Sequence, residues 1–322
     1  MCYSSELIVS LIGTITLCEL SPSTPKVLRK HLLRHKIATL DHTGTIWAGT
    51  FNSGLSRFSE GKFTAYTTKT GLSANTVRAL YEDRAGILWV ATSSGLDRMK
   101  TGRVIGHIRE QELPPRFEDH PRTTKTCVKA ISEAHDGTMW LGTDGGGLIR
   151  FKRGQYVQYG AKDGLIGEYV LALMSDRDGG LWVGTDQGIS YLRDGSFTSY
   201  APEEGSTLLA LCFYEDHDGT IWLGTEGGGL GRLKNGKLTM ISTKDGLSDD
   251  LAFQVLEDGN GNLWMSSNNG VFRVSKQELN EFADGFIRTV TSVAYGVADG
   301  MKTRECNGGS LPAGWKGHDG TL

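Results

Sequence analysis

The apolar positions of residues 76–108 fall into four short runs. Residues 76–83 alternate, with Val77, Ala79 and Tyr81 apolar, the period-two pattern of a strand that buries one face. A turn at 84–86 leads into residues 87–92, apolar almost throughout and therefore predicted to be a strand buried on both faces. Residues 95–99 give a third strand, and Thr101 and Gly102 turn the chain into a fourth, 103–108. The same turn is written again as Glu60-Gly61, Arg153-Gly154, Asp194-Gly195 and Asn235-Gly236. Asn-Gly and Asp-Gly pairs tolerate the positive φ that tight hairpins require.

The unit repeats. Trp47, Trp89, Trp140, Trp182, Trp222 and Trp264 follow one another at intervals of 42, 51, 42, 40 and 42 residues. Each stands three residues after a glycine, as in G-T-I-W-A-G-T from Gly44, G-I-L-W-V-A-T from Gly86 and G-N-L-W-M-S-S from Gly261. A period near 42 with several short strands per unit is the signature of a β-propeller. One four-stranded unit cannot bury both faces, whereas stacked units can. The recurrent tryptophan is predicted to wedge apolar area into each blade. Stacking on carbohydrate is the other use of such rings, and the all-apolar strand around them argues against exposure.

The expected fold is therefore all-β: a seven-bladed propeller of four-stranded blades, the last truncated. The chain ends at H-D-G-T-L, one residue short of a seventh tryptophan in register, and Trp315 is off that register. A fragment is expected, with the propeller over 36–322. Residues 110–125 form a polar, Pro-bearing loop between blades, and 276–284 place Leu279 and Phe282 at helical spacing. The first 35 residues carry no repeat frame. Their apolar run 7–17 is too short to span a bilayer and lacks the basic start of a secretory leader. It reads as an irregular segment or a degraded leader.

Composition narrows the functions. Hydrophobic residues are 38% and charged residues 22%, as in a soluble globular chain. Glycine, 44 of 322 residues, far exceeds its usual share of about 7% and fits a chain rich in turns. Net charge is −3 with Lys and Arg dispersed, so no basic stripe points to nucleic acid. Cys2, Cys18, Cys127, Cys212 and Cys306 form no C-x-x-C pair and indicate neither a disulfide framework nor a zinc site. The strings G-T-D-G-G-G from Gly142 and G-T-E-G-G-G from Gly224 lack the Gly-Lys-Ser/Thr of a phosphate loop and read as turns. His42, His135, His217 and His318 fall at or beside one turn position, shared with Arg84 and Arg177. A blade apart, they are too far to share a metal with bonds of about 2.1 Å. No catalytic arrangement emerges from spacing, and no cofactor is expected.

The better candidates lie in the turns joining strands two and three, which by propeller geometry line the top face. The residue four after each tryptophan is Phe51, Ser93, Asp144, Asp186, Glu226 or Asn268. The position varies and is mostly polar, as a ligand-facing set would be, so Ser93, Asp144, Asp186, Glu226 and Asn268 are the candidate contacts. The plainer reading is that Asp, Asn and Ser suit turns before glycine. The three acidic members favour a cationic or hydroxyl-rich ligand, a small molecule or an oligosaccharide.

The frame D-G-L-S-…-V-…-L-x-E-D-…-G-x-L-W-V-G-T-x-x-G-L-x-R resembles the two-component regulator propeller repeat. Gly71-Leu72-Ser73 through Trp89 to Arg98 is a nearly complete copy, as is Asp245-Gly246-Leu247-Ser248 through Trp264 to Arg273. The resemblance covers about residues 36–322, and the tail from Tyr295 to Lys316 is similar to a final propeller repeat of such proteins. It implies the extracytoplasmic, periplasmic sensor region of a regulator tethered to the bacterial inner membrane. A triple-tyrosine domain, a membrane helix and a histidine kinase or diguanylate cyclase would follow, all absent from this chain.

The expected function is a ligand-sensing propeller of a signalling protein, not itself an enzyme. Blade interfaces or a homodimer supply the two states that sensing needs. Two alternatives stand beside it. Streptogramin B lyases are similar propellers that use a catalytic histidine and a metal at the top face, whereas the histidines here fall on the opposite rim. A scaffold that binds other proteins is the third reading.

Overall fold

A computed structural model describes residues 35–115, 117, 126–200, 208–301 and 306, with the side chains of 35 and 36 left aside. These residues form six four-stranded antiparallel sheets, each with its strands in chain order. Blade one is His35–Leu40, Ile46–Thr50, Leu55–Ser59 and Lys62–Tyr66; blade two is Val77–Glu82, Leu88–Thr92, Gly95–Lys100 and Arg103–Arg109. Blade three is Val128–Glu133, Met139–Thr143, Leu148–Lys152 and Gln155–Tyr159; blade four is Val170–Ser175, Leu181–Thr185, Ile189–Arg193 and Ser196–Tyr200. Blade five is Leu209–Glu215, Ile221–Glu226, Leu230–Lys234 and Lys237–Ile241; blade six is Gln254–Glu257, Asn262–Ser267, Gly270–Ser275 and Ser292–Tyr295. The expectation of seven blades is corrected to six, one for each tryptophan frame. The seventh rested on residues 307–322, which lie outside the described residues, as do the first 34 residues and Trp315.

The second strand of each blade carries the tryptophan. In blades two, three and four it is buried at every position, as its unbroken apolar run requires. Trp47, Trp89, Trp140, Trp182 and Trp222 are buried, while Trp264 is half-buried. Across the sheet the tryptophan faces an arginine or tyrosine of strand three: Arg57, Arg98, Arg150, Tyr191, Arg232 or Arg273. The guanidinium carbons of Arg57, Arg98 and Arg273 lie 5.7, 5.9 and 5.6 Å from the indole centroids, within cation–π range. The hairpin between strands three and four has φ near +50° and then +75° at Glu60-Gly61, Thr101-Gly102, Arg153-Gly154, Asp194-Gly195 and Asn235-Gly236, as a two-residue type I′ turn needs.

The turn between strands one and two has an architect that the tryptophan spacing hides. An aspartate six residues before the tryptophan accepts the indole N–H through Oδ2. The pairs are Asp41–Trp47 at 2.8 Å, Asp83–Trp89 at 2.7 Å, Asp176–Trp182 at 3.2 Å, Asp216–Trp222 at 3.0 Å and Asp258–Trp264 at 2.8 Å. Its other oxygen accepts backbone N–H groups of the same turn, as Asp83 does from Ala85 and Ile87. One carboxylate thus fixes both the turn and the ring.

The described chain forms two compact units. The first, Ile37–Phe213, holds blades one to four. Here the first strands of blades two, three and four lie side by side, and a buried apolar cluster fills each gap between blades. Ile37, Trp47, Val77 and Leu80 pack between blades one and two; Ala79, Trp89, Val128 and Leu141 between two and three; Trp140, Val170 and Val183 between three and four. Part of the expected 110–125 loop is described. Gln158 donates to the Pro115 carbonyl at 2.8 Å, and Phe117 packs against Gly147 and Gly160.

The second unit starts at Tyr214 and holds blade six and the last three strands of blade five. The expected helix is Lys276–Ala283, capped by Ser275, with Leu279 buried. It joins strands three and four of blade six and reaches back to blade five. There the buried Arg232 donates to Asn280 Oδ1 at 2.7 Å and Asp284 Oδ1 at 2.9 Å.

Candidate functional site

The turns between strands two and three are main-chain scaffolds. Ser93, Asp144 and Asp186 each donate a backbone N–H to the residue just before strand one of their own blade: Thr76, Cys127 or Tyr169, at 3.0, 2.9 and 3.2 Å. Asp144 also bridges Tyr169 of the next blade. Tyr169 therefore brings Asp144 and Asp186 to its two sides. Two blades earlier, Thr76 does the same for Phe51 and Ser93, donating Oγ1 to the Phe51 carbonyl at 2.5 Å. Phe51 is 55% exposed, an apolar ring at a position otherwise polar. In the second unit, Glu226 bridges Leu251 and is exposed, as is Asn268.

Glycine is obligatory beside these turns. A Cβ at Gly147 or Gly229 would sit 2.2 Å from the carbonyl oxygen of Tyr159 or Ile241, and φ is +66° and +78°. The two triple-glycine strings are thus turns that let strand four approach. No helix starts there.

The structure adds a feature that period-two reading misses. Strand one of blades two, three and four is bulged at its top end. Val77 pairs with Thr92 and Ala79 with Ala91, so Arg78 is the extra residue. By the same count Lys129 is extra between Val128 and Ala130, and Leu171 between Val170 and Ala172. A bulge re-aims a side chain and recurs beside binding sites. Val77 packs toward blade one and Ala79 toward blade three, while Arg78 joins neither cluster. Arg78, Lys129 and Leu171 each stand eleven residues before their tryptophan, an offset that follows from the repeat and does not by itself mark a bulge.

Arg78 Nε is buried with no hydrogen-bond acceptor among the described residues. Such a group costs about 1–3 kcal/mol. Arg57 and Arg98 share an unbonded Nε but lie over tryptophan rings, which Arg78 does not. Lys129 Nζ is 3.7 Å from Asp144 Oδ2, with both side chains about one-quarter exposed (28% and 25%).

At the opposite end of the strands the turns reach from blade to blade. His42 donates its backbone N–H to Glu82 Oε2 at 2.7 Å and sets Nδ1 2.6 Å from Oε1. The Glu82 hydrogen bond and charge, with a smaller contribution from Asp41, raise the His42 pKa above its ordinary value. Arg84 takes the equivalent place in blade two. Its N–H meets Glu133 Oε2 at 2.8 Å and its guanidinium the His135 carbonyl at 2.8 Å. His135 Nε2 lies 3.0 Å from the Asp176 carbonyl oxygen. A cleft of about 510 Å³ opens here, lined by His42, Arg57, Glu82, Arg84 and Lys100. Among the described residues no group of three or more His, Cys, Asp or Glu is placed to hold a metal ion.

The family model described as "Two component regulator propeller" matches residues 71–94, 164–187 and 206–227. The chain carries two-component regulator propeller repeats. Each matched repeat runs through a tryptophan to the turn after strand two, and Ser93, Asp186 and Glu226 fall inside the three matches. No curated protein sequence matches the chain.

Among solved structures, the chain is similar to the extracellular domain of a protein described as a hybrid two component system of B. thetaiotaomicron. Identity is 21% and the TM-score 0.70, over 89% of this chain. The match spans 37% of that protein's length. A catalytically inactive virginiamycin B lyase from Staphylococcus aureus, solved with quinupristin, matches at 16% identity and TM-score 0.63. It covers 84% of this chain and 86% of the lyase. PorZ of Porphyromonas gingivalis, a surface component of a secretion system, matches at 17% and 0.51, over 71% of this chain and 36% of its own. At these identities the likeness shows the fold alone. No helix among the described residues is long and apolar enough to cross a membrane.

Proposed function

We propose that the chain is the ligand-sensing propeller of a two-component or diguanylate cyclase signalling protein, without catalysis of its own. In this reading it lies outside the cytoplasm and the full-length protein is anchored in the inner membrane. Triple-tyrosine and kinase or cyclase domains downstream receive the signal. The supporting observation is the division of labour in the top turns. Main-chain hydrogen bonds hold Ser93, Asp144 and Asp186 in equivalent places, so the turn does not dictate which side chain each position carries and the residue varies as ligand contacts do. The repeats and the likeness to an extracellular sensor fold point the same way. Glu226 and Asn268 occupy the corresponding turns of blades five and six.

The test is a thermal-shift screen of small molecules and oligosaccharides. A ligand at one hundred times its Kd stabilises the folded state by about 2.7 kcal/mol, a clear rise in Tm. Asp144→Asn and Asp186→Asn are expected to change the Kd of the hit at least tenfold. A screen without a single saturable hit, or a hit indifferent to both substitutions, overturns the reading. The lyase alternative is tested by incubation with a cyclic lactone and mass spectrometry for ring opening. The strand-one turns that carry His42, His135 and His217 lie at the other end of the blade from the candidate turns, which speaks against it.

A further inference from the structure

We infer that Arg78 and Lys129 form a site for an oxyanion, a carboxylate, sulfate or phosphate group, at the top of blades two and three. The inference rests on the sensing reading and gives its ligand a chemical class.

The two side chains occupy the same bulge position on first strands that lie side by side. Each bulge sits where its strand meets the turn after strand two, since Val77 pairs with Thr92 and Val128 with Thr143. The bulged residues therefore stand at the ends of their strands that adjoin the turns of Ser93 and Asp144, and Lys129 Nζ comes within 3.7 Å of Asp144 Oδ2. Packing does not demand a cation there. The next blade has Leu171 at the same bulge, and the corresponding residues of blades five and six are Leu211 and Phe253. Blade one has Lys36 at the same offset from its tryptophan, so positive charge at this position belongs to blades one to three and is not a feature of the whole repeat.

Arg78 is the stronger evidence. Among the described residues its buried Nε–H bonds to nothing, no carboxylate pairs with it, and no indole lies beneath it. A guanidinium presents donors in a fixed fork that suits two oxygens of one anion. Lys129 adds a point charge on a mobile stem. Its ion-pair partner among the described residues, Asp144, stands at 3.7 Å, beyond hydrogen-bonding distance, so an incoming oxyanion competes with a loose pair.

The test uses the isotope-labelled chain, titrated with sodium sulfate, sodium phosphate and sodium acetate at constant ionic strength. Amide shifts of residues 77–79 and 128–130 are expected to move and saturate. The anion of lowest Kd ranks the chemical group. Arg78→Gln and Lys129→Gln are each expected to raise that Kd at least tenfold, whereas Arg103→Gln, an exposed cation of blade two, leaves it unchanged. Shifts that grow linearly with salt, or saturation that survives both substitutions, overturn the site. Should Arg78→Gln not fold, Lys129→Gln carries the decision. Failure here is distinct from failure of the sensing reading. A neutral ligand that binds wild type and Arg78→Gln alike removes the anion site and leaves sensing intact. Saturable anion binding with no hit in the screen does the reverse.

Discussion

Blades two and three share a fold and a buried tryptophan but hold their first turn differently. In blade two, Asp83 takes two backbone N–H groups on one oxygen and the Trp89 indole on the other. Blade three has Ala134 at that position. Its turn still closes, with Ala134 N–H on the Thr138 carbonyl at 2.8 Å, but no described residue accepts the Trp140 indole proton. Asp136, two residues later, takes Thr138 N–H at 2.9 Å and the Lys152 ammonium at 2.5 Å. The Lys152 hydrogen bond, helped by Thr138, holds the Asp136 carboxyl well below the usual carboxylate range. The comparison separates two duties of one carboxylate: closing the turn, which the backbone manages without it, and anchoring the ring, which nothing replaces.

The strongest way to break this account is to make blade two resemble blade three. Asp83→Ala leaves a buried indole N–H and two turn N–H groups without their acceptor. With each such loss at about 1–3 kcal/mol and water reaching the turn groups, the expected cost is about 2–3 kcal/mol in urea unfolding. Asp136→Ala, which removes an exposed ion pair, is expected to cost less than about 1 kcal/mol. Equal effects would show that the indole anchor carries no special weight. The converse substitution sharpens the point: Ala134→Asp supplies Trp140 with an acceptor and is expected to stabilise by about 1 kcal/mol. A loss of stability there would mean that blade three has repacked around its alanine.

The same pair of blades shows which parts of the molecule could be read from the chain. The six tryptophan frames were legible because the ring holds one register position in every blade, buried in five and half-buried in the sixth, so its spacing marked the sheets. The helix at Lys276–Ala283 was legible from Leu279, which is buried where helical spacing put it. The seventh blade was an over-count from a frame cut off at the chain end. The bulges were not legible because alternation was taken as unbroken through 76–83. Val77 and Ala79 were assigned to one face, whereas they pack against opposite neighbours. One extra residue exchanges the faces, and it carried Arg78 out of the core. The aspartate frame was written in the repeat, but its meaning depends on the direction of an indole N–H, which no spacing reveals. The candidate turns were placed correctly within each blade. Their pairing around Thr76 and Tyr169 runs through backbone groups, to which side-chain identity is blind.

The smallest effect separates the two inter-blade contacts on either side of blade two. Toward blade one the link is His42 to Glu82; toward blade three it is Arg84 to Glu133 and the His135 carbonyl. Arginine stays charged throughout the accessible range, so the charge that Arg84 brings to the second link is constant near neutrality. The first is not. Glu82 raises the His42 pKa in the folded chain, while the unfolded value is about 6.5. A raised folded pKa stabilises fully below the unfolded value, and that stabilisation fades as pH rises through the folded one. The Tm difference between wild type and His42→Gln is therefore expected to be largest below about pH 6.5 and to shrink steadily above it. Because His42 is exposed, the difference is small and shrinks further with salt. A flat His42→Gln profile, or one that grows with pH, would show that the ring meets Glu82 as a neutral hydrogen-bond partner and that the two contacts differ in residue type alone.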